Sequence, residues 1–303
     1  MRHKPFIHNS DSGMTILELL VASFLGLLML GMTFSATHSN QRLYTHDLAR
    51  TRVNQNLRSA MDFIGTDVRQ AGEQLPENFP AIELINGEEG APDQLILRRN
   101  LMTEVLTLCN NINSGESLIA LPISSSSFGA PPACVYGGQT ISYNAWTNYI
   151  TGEGGEIKAY IFNLSTREGE FITITGGIDS GSNMYLINSN TPFAYSYTQY
   201  NSAIYILEEW TYTLGTAEGE ENLLKIIQNG DVETERNLVY GITEFQVQII
   251  LEDDTIQQAF SSVDNWSTIK AIDLVLSGEE QGSKRLATGS LNSRFFPRNV
   301  LSL

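Results

Sequence analysis

One carboxylate in this chain stands where a carboxylate is costly. Glu18 is the only charged residue between Met14 and Ser35, a run that is otherwise almost wholly apolar. A helix of that length spans about 30 Å, the thickness of a bilayer's hydrocarbon core. A charged Glu near one end of such a span costs roughly 3 kcal/mol on insertion scales, so it needs a cation or a hydrogen bond. The plain alternative is a tolerated polar residue near the membrane interface. A secretory signal peptide is a second alternative, but such signals have apolar cores of about 7 to 15 residues, shorter than this run. The candidate cleavage segment Phe34-Ser35-Ala36 also places a bulky residue where a small one is wanted.

Other groups that could do chemistry are sparse. No GxSxG, HExxH or Walker A pattern is present. The four histidines fall at 3, 8, 38 and 46, far in sequence from the C-terminal region. Carboxylate pairs occur at Glu88-Glu89, Glu208-Glu209, Glu220-Glu221, Asp253-Asp254 and Glu279-Glu280. Neighbours on a strand point to opposite faces, so these pairs read as solvated turns rather than catalytic dyads. The expectation is a protein without enzymatic activity. Calcium is the one cofactor left open. Asp179 and Asn183 bracket a loop with oxygen-bearing residues at alternate positions, and Asp253-Asp254 make a compact anionic turn. Neither has the bidentate Glu of an EF-hand, and both read first as polar turns. Arg98-Arg99 is an adjacent basic pair, and on a strand its side chains diverge.

Two cysteines, Cys109 and Cys134, enclose 24 residues. In a translocated domain they read as one disulfide, worth roughly 3 kcal/mol by loop entropy. Two buried thiols or part of a metal site are the alternatives, although no CxxC spacing and no nearby histidine support a metal. The net charge of −16 repels nucleic acid and anionic membrane surfaces at long range, so no nucleic-acid partner is expected.

The elements that position these groups follow from pattern. No proline occurs between Pro5 and Pro76, which allows one long helix over 14–72. Its first part, 14–35, is the candidate span. In its second part Leu57, Met61, Ile64, Val68 and Ala71 step by four and three along one face. Arg50, Arg58, Asp62, Asp67 and Arg69 lie mostly off that face and are expected in solvent. Gly72 suits a C-cap. Residues 73–94, rich in Glu, Pro and Gly, read as a linker. Strand patterns follow at 95–98, 105–108, 118–121, 140–143, 157–162, 171–175, 184–187, 203–214, 223–228, 242–251, 268–277 and 293–301. The 203–214 and 223–228 runs form a hairpin with an acidic tip. The fold class expected is α+β, a long helix packed on a β-rich domain.

The segment Gly13-Met14-Thr15-Ile16-Leu17-Glu18-Leu19-Leu20-Val21-Ala22 resembles the class III signal of type IV prepilins and type II secretion pseudopilins. The resemblance implies a leader at 1–13, cleavage between Gly13 and Met14, N-methylation of Met14, and use of Glu18 in filament assembly. Met14 departs from the usual Phe. The freed Met14 amine then stands at i, i+4 spacing from Glu18, and a neighbouring subunit's amine is the other candidate partner.

A second resemblance covers the C-terminal third. Tyr240-Gly241-Ile242, the strand residues after it, Trp266 to Leu276, and Arg294-Phe295-Phe296-Pro297-Arg298-Asn299 resemble PilW-type minor pilins and the J-type pseudopilins. The β-rich middle with its cysteine pair favours the PilW type. Together the resemblances imply a pilin-like fold, a single-pass inner-membrane anchor, and a periplasmic domain over 73–303. Other minor pilins, the major pilin, the prepilin peptidase and the inner-membrane assembly platform are the implied partners. Charge does not fix the topology, because Arg2 and Lys4 precede the span and Arg42, Arg50 and Arg52 follow it. A J-type pseudopilin is the alternative. A tip adhesin is another, with Trp146, Tyr149, Tyr195, Tyr197 and Tyr200 as exposed suspects.

Overall fold

A computed structural model describes residues 15–88, 91–122, 138–179, 184–217, 220–229, 232–282 and 285–302. The proline-free window forms one helix, α1, Ile16–Gln70. Its N-terminal 29 residues, Ile16 to Tyr44, are all exposed. From Ala49 onward one face is buried: Ala49, Val53, Leu57, Ala60, Met61, Ile64 and Val68. The expected stripe is that face. Asp67, expected in solvent, is instead buried on it, where Tyr212 donates its hydroxyl at 2.5 Å. A polar group survives burial when its hydrogen bond is supplied.

Gly65 lets the helix approach the sheet. A side chain there would lie 2.1 Å from the Phe295 ring. The helix ends at Ala71, and Gly72 follows at φ +79° against the Trp266 indole. Only glycine fits that combination of backbone and neighbour.

The chain then builds three antiparallel sheets. In chain order the strands are β1 Ile82–Ile85, β2 Gln94–Asn100, β3 Leu106–Thr107, β4 Leu118–Pro122, β5 Ile157–Asn163, β6 Glu168–Asp179, β7 Met184–Ser189 and β8 Ser202–Tyr205. After these come β9 Leu207–Ala217, β10 Glu220–Asn229, β11 Val232–Tyr240, β12 Ile242–Leu251, β13 Ile256–Gln257, β14 Ile269–Gln281 and β15 Leu286–Phe295. A five-stranded sheet runs β1-β2-β9-β10-β11, a four-stranded sheet β13-β12-β14-β15, and a six-stranded sheet β3-β8-β5-β6-β7-β4. Helix α1 packs on β15, β14, β11 and β2. This is an α+β architecture with a long N-terminal helix.

Four expectations are corrected. Residues 73–94 are no linker: Leu75, Phe79, Ala81, Ile82 and Leu84 are buried, and β1 lies among them. Phe79 sits among Tyr160, Phe162 and Tyr205 at ring distances of 5.7, 4.7 and 5.2 Å. The 140–143 pattern belongs to a helix, α2 Gly138–Gly152, whose Tyr143, Trp146 and Ile150 are buried at helical spacing. The 203–214 run is two strands in two sheets. Asn100 holds the corner, accepting from the Ile206 amide at 3.1 Å. The last strand begins at Leu286, and Asn299–Ser302 is a short 3-10 turn. The 73–303 region also holds two cores. The first joins α1 to the five- and four-stranded sheets, and the second lies between α2 and the six-stranded sheet. Strand alternation separates them: Ile161 faces the second core and Phe162 the first.

Candidate membrane and assembly site

The exposed half of α1 begins with a capping box. Thr15 has extended backbone and its hydroxyl accepts from the Glu18 amide at 3.3 Å. The Glu18 carboxylate in turn accepts from the Thr15 amide at 3.0 Å and the Thr15 hydroxyl at 3.1 Å. Two orphan groups of the helix start are thereby satisfied, and a negative charge sits at the positive end of the helix dipole. The T-x-x-E spacing carried this signal in the sequence, and Thr15 is the residue that reading for charge alone misses.

Beyond Glu18 the surface is apolar all round. Leu19, Leu20, Val21 and Met29 are exposed and, at about 100° per residue, lie on four different sides of the helix. Three of its hydroxyls turn back on their own backbone: Ser23 donates to the Leu19 carbonyl, Thr33 to Met29 and Thr37 to Thr33. That removes their polarity from the surface, as a lipid environment demands. Length and composition mark this as a candidate membrane span, and none of its apolar window is buried by the rest of the chain. The polar boundary is set by His38 and Arg42, which share a hydrogen bond of 2.8 Å.

Gly13 and Met14 lie outside the described residues, so the cleavage site and the amine are not placed. Cys109 is buried in the second core and Cys134 lies outside the described residues. No free thiol occurs among the described residues. Asp179 ends β6, while Asn183 lies outside the described residues. Asp253 and Asp254 form the turn between β12 and β13. The Thr255 amide donates to Asp253 at 3.0 Å and holds that carboxyl below its ordinary range. Asp254 takes a left-handed conformation and pairs with Lys270. Among the described residues no three His, Cys, Asp or Glu side chains converge as a metal site would require.

The aromatic suspects divide. Trp146 and Tyr197 are core residues, not surface ones, and the Trp146 indole donates to the Glu104 carbonyl at 2.7 Å. Tyr149 is partly buried against the second core, whereas Tyr195 and Tyr200 are exposed.

Glu208 and Glu209, expected as a solvated turn, lie on β9 opposite Arg99 and Arg98 of β2. Arg98 donates to Glu209 at 2.5 Å, Glu83 at 2.6 Å and the Pro80 carbonyl at 2.7 Å. Burial alone would lower its pKa, but the two carboxylates hold it above its ordinary value. Arg99 donates to Glu208 and Gln70, both at 2.6 Å, and lies over the Trp210 ring. These side chains diverge as expected, yet each meets its own carboxylate across the sheet. Sequence reading missed the network because cross-strand register was needed to see it.

No protein family, curated protein or solved structure matches this chain.

Proposed function

We propose that the chain is a PilW-type minor pilin, which takes part in building a type IV pilus after leader removal. In this reading the peptidase cuts after Gly13 and methylates Met14. The Ile16–Ser35 stretch holds the subunit in the inner membrane, with the β-rich domain in the periplasm. The same apolar stretch then leaves lipid to pack among neighbouring subunits in the fibre. Glu18 pairs with a terminal amine, its own or a neighbour's, and a Cys109–Cys134 disulfide joins the chain just after β3 to the chain between β4 and α2. Other minor pilins meet the β-rich domain and prime or cap the fibre.

One observation carries the reading. A single helix is apolar and exposed through its first half, and anchored by its second half to a folded domain. An element of this form needs an external apolar partner at one end only. The capping box adds a second point: Glu18 accepts from the Thr15 amide at its own helix start, and Thr15 follows the expected terminus, Met14, by one residue in sequence.

The test is the mature N-terminus. Mass spectrometry is expected to find N-methyl-Met14 as the first residue. Replacing Glu18 with Ala is expected to leave the domain folded while abolishing incorporation into pili. An intact leader, or a normal pilus number in that variant, overturns the reading. A J-type pseudopilin shares these features, and loss of protein secretion rather than of pili in a deletion strain would assign it there.

A further inference from the structure

We propose that the turn between β14 and β15, with the adjoining turns of α1, forms a basic foot that rests on anionic phospholipid headgroups. The inference rests on the first half of α1 lying in a bilayer and does not depend on pilus assembly. The packing of β15 along α1 fixes where that turn stands. Phe295 lies against Gly65, Gly289 against Val53 and Leu57, and Gly282 against His46 and Ala49. β15 therefore runs beside α1 in the same direction, and the turn that opens it faces the apolar half. A Cβ added at Gly282 would lie 3.6 Å from the His46 Cα and 3.8 Å from the Ala49 Cβ. The Gly282 amide donates to the Arg285 carbonyl at 3.0 Å, which closes the turn.

Height along the helix decides which charges meet a membrane first. At about 1.5 Å per residue, Arg42 lies about 10 Å beyond Ser35 and His46 about 16 Å. Headgroups extend roughly 5–7 Å beyond the hydrocarbon core, so Arg42 stands near their outer surface and the turn within about 10 Å of it. Arg42 also precedes His46 and Ala49 by four and seven residues, on the helix face that the turn covers. Arg42 and Arg285, both exposed, are thus gathered on one side of the stem. Lys284 lies outside the described residues and is not counted.

Their sign is set against the rest of the chain. In a protein of net charge −16, residues 19–46 contain no acid, and Arg42 is the first charge after Glu18. The nearest acids are set back. Asp47 follows His46, Glu280 accepts from Arg52 at 3.1 Å, and Glu279 lies two residues before the end of β14. The acidic connection from β9 to β10 is also behind the foot. Asn222 of β10 pairs with Tyr240, whose carbonyl accepts from Asn56, and Asn56 is about 15 Å past His46. Glu220 opens β10 two residues, or about 7 Å, nearer the membrane than Asn222. The screening length is about 8 Å at physiological salt, so these acids feel lipid charge more weakly than the two arginines do. Leu43, Tyr44 and Leu286 are exposed on the same two segments. Basic side chains mixed with aromatic and aliphatic ones suit a membrane–water interface. Lipid is also the anion that this position beside the span guarantees.

The experiment places a benzophenone amino acid at Leu286, and in a second sample at Phe24, of the full chain. Both samples are reconstituted in nanodiscs of phosphatidylcholine with a minority of phosphatidylglycerol. After irradiation the adducts are identified by mass spectrometry. The probe at Phe24 is expected to capture both lipids in their bulk ratio. The probe at Leu286 is expected to capture phosphatidylglycerol at least about fivefold above that ratio, the factor one basic side chain supplies near an anionic surface. Arg42→Gln combined with Arg285→Gln is expected to return the ratio to the bulk value with the melting temperature unchanged, as is salt of about 1 M in the unsubstituted chain. No lipid adduct at either position overturns the span and this proposal together. Adducts at Phe24 with none at Leu286, or a bulk ratio at Leu286, overturn this proposal and leave the span standing. So does an enrichment that the double variant keeps. Crosslinks from Leu286 to a second copy of the chain in place of lipid overturn it in favour of a subunit contact.

Discussion

The two halves of α1 are one continuous helix with opposite surroundings. Ile16 to Tyr44 has no buried residue, while from Ala49 to Val68 one face is buried against the sheets. Within the first half the Ile16–Ser35 stretch is apolar on every side apart from Glu18, and Ser23 and Thr33 turn their hydroxyls inward to backbone carbonyls. The second half is apolar along one stripe and carries Arg50, Arg58 and Asp62 in solvent. A stripe can be satisfied from within the chain, because a sheet covers one side of a helix. A helix greasy all round cannot, since only lipid or a ring of neighbours reaches every side. The contrast separates what this protein needs to fold from what it needs around it.

The largest expected effect tests that separation directly. Ile64→Asp places an unpaired charge in the first core and is expected to cost more than about 4 kcal/mol, leaving no cooperative transition. Leu27→Asp is expected to leave the melting of the β-rich domain unchanged while reducing retention in membranes. Thermal melts and membrane fractionation of the two variants check both outcomes. A domain that melts early with Leu27→Asp would show that the halves are energetically coupled.

Arg98→Met carries the comparison to the anchored end, where the domain holds its own charges. It leaves Glu83 and Glu209 without their shared cation and is expected to cost about 3–5 kcal/mol by urea unfolding. Tyr212→Phe takes one hydrogen bond from buried Asp67 and is expected to cost about 1–3 kcal/mol. Neither should alter membrane retention.

The smallest effect is one of pH. Burial, opposed by Arg98, pushes the Tyr160 phenol up to about 12. The unfolded phenol ionises near its ordinary value of about 10. Stability from this group is therefore complete below about pH 10 and is lost as pH rises toward the folded value. Urea midpoints should fall between about pH 10 and 12, and Tyr160→Phe should flatten that fall by an amount on the order of 1 kcal/mol.

Much of this was legible one element at a time. The proline gap and the step of four and three gave α1 and its buried face. Alternation gave most strands, and the T-x-x-E spacing was there to give the cap. The failures share a cause. Residues 73–94 looked polar because Glu, Pro and Gly outnumber Phe79 and Leu84, yet those few side chains fill the junction between sheets. The 140–143 segment is rich in residues suited to strands, and only the contacts of Tyr143 and Trp146 made it a helix. Glu208 and Glu209 read as solvated because their arginines lie more than a hundred residues away in sequence.

The sequence by itself determined the exposed apolar helix with its lone carboxylate, since hydropathy and helical period act over neighbouring residues. It also determined that the C-terminal region is largely strand. Tertiary structure alone decided that this region has two cores, that the 203–214 run turns a corner between sheets, and that Trp146 and Tyr197 face inward while Tyr195 faces out. Local propensity sets which conformations a segment can adopt. Which face is covered depends on the strand that arrives beside it, and that partner comes from a distant part of the chain.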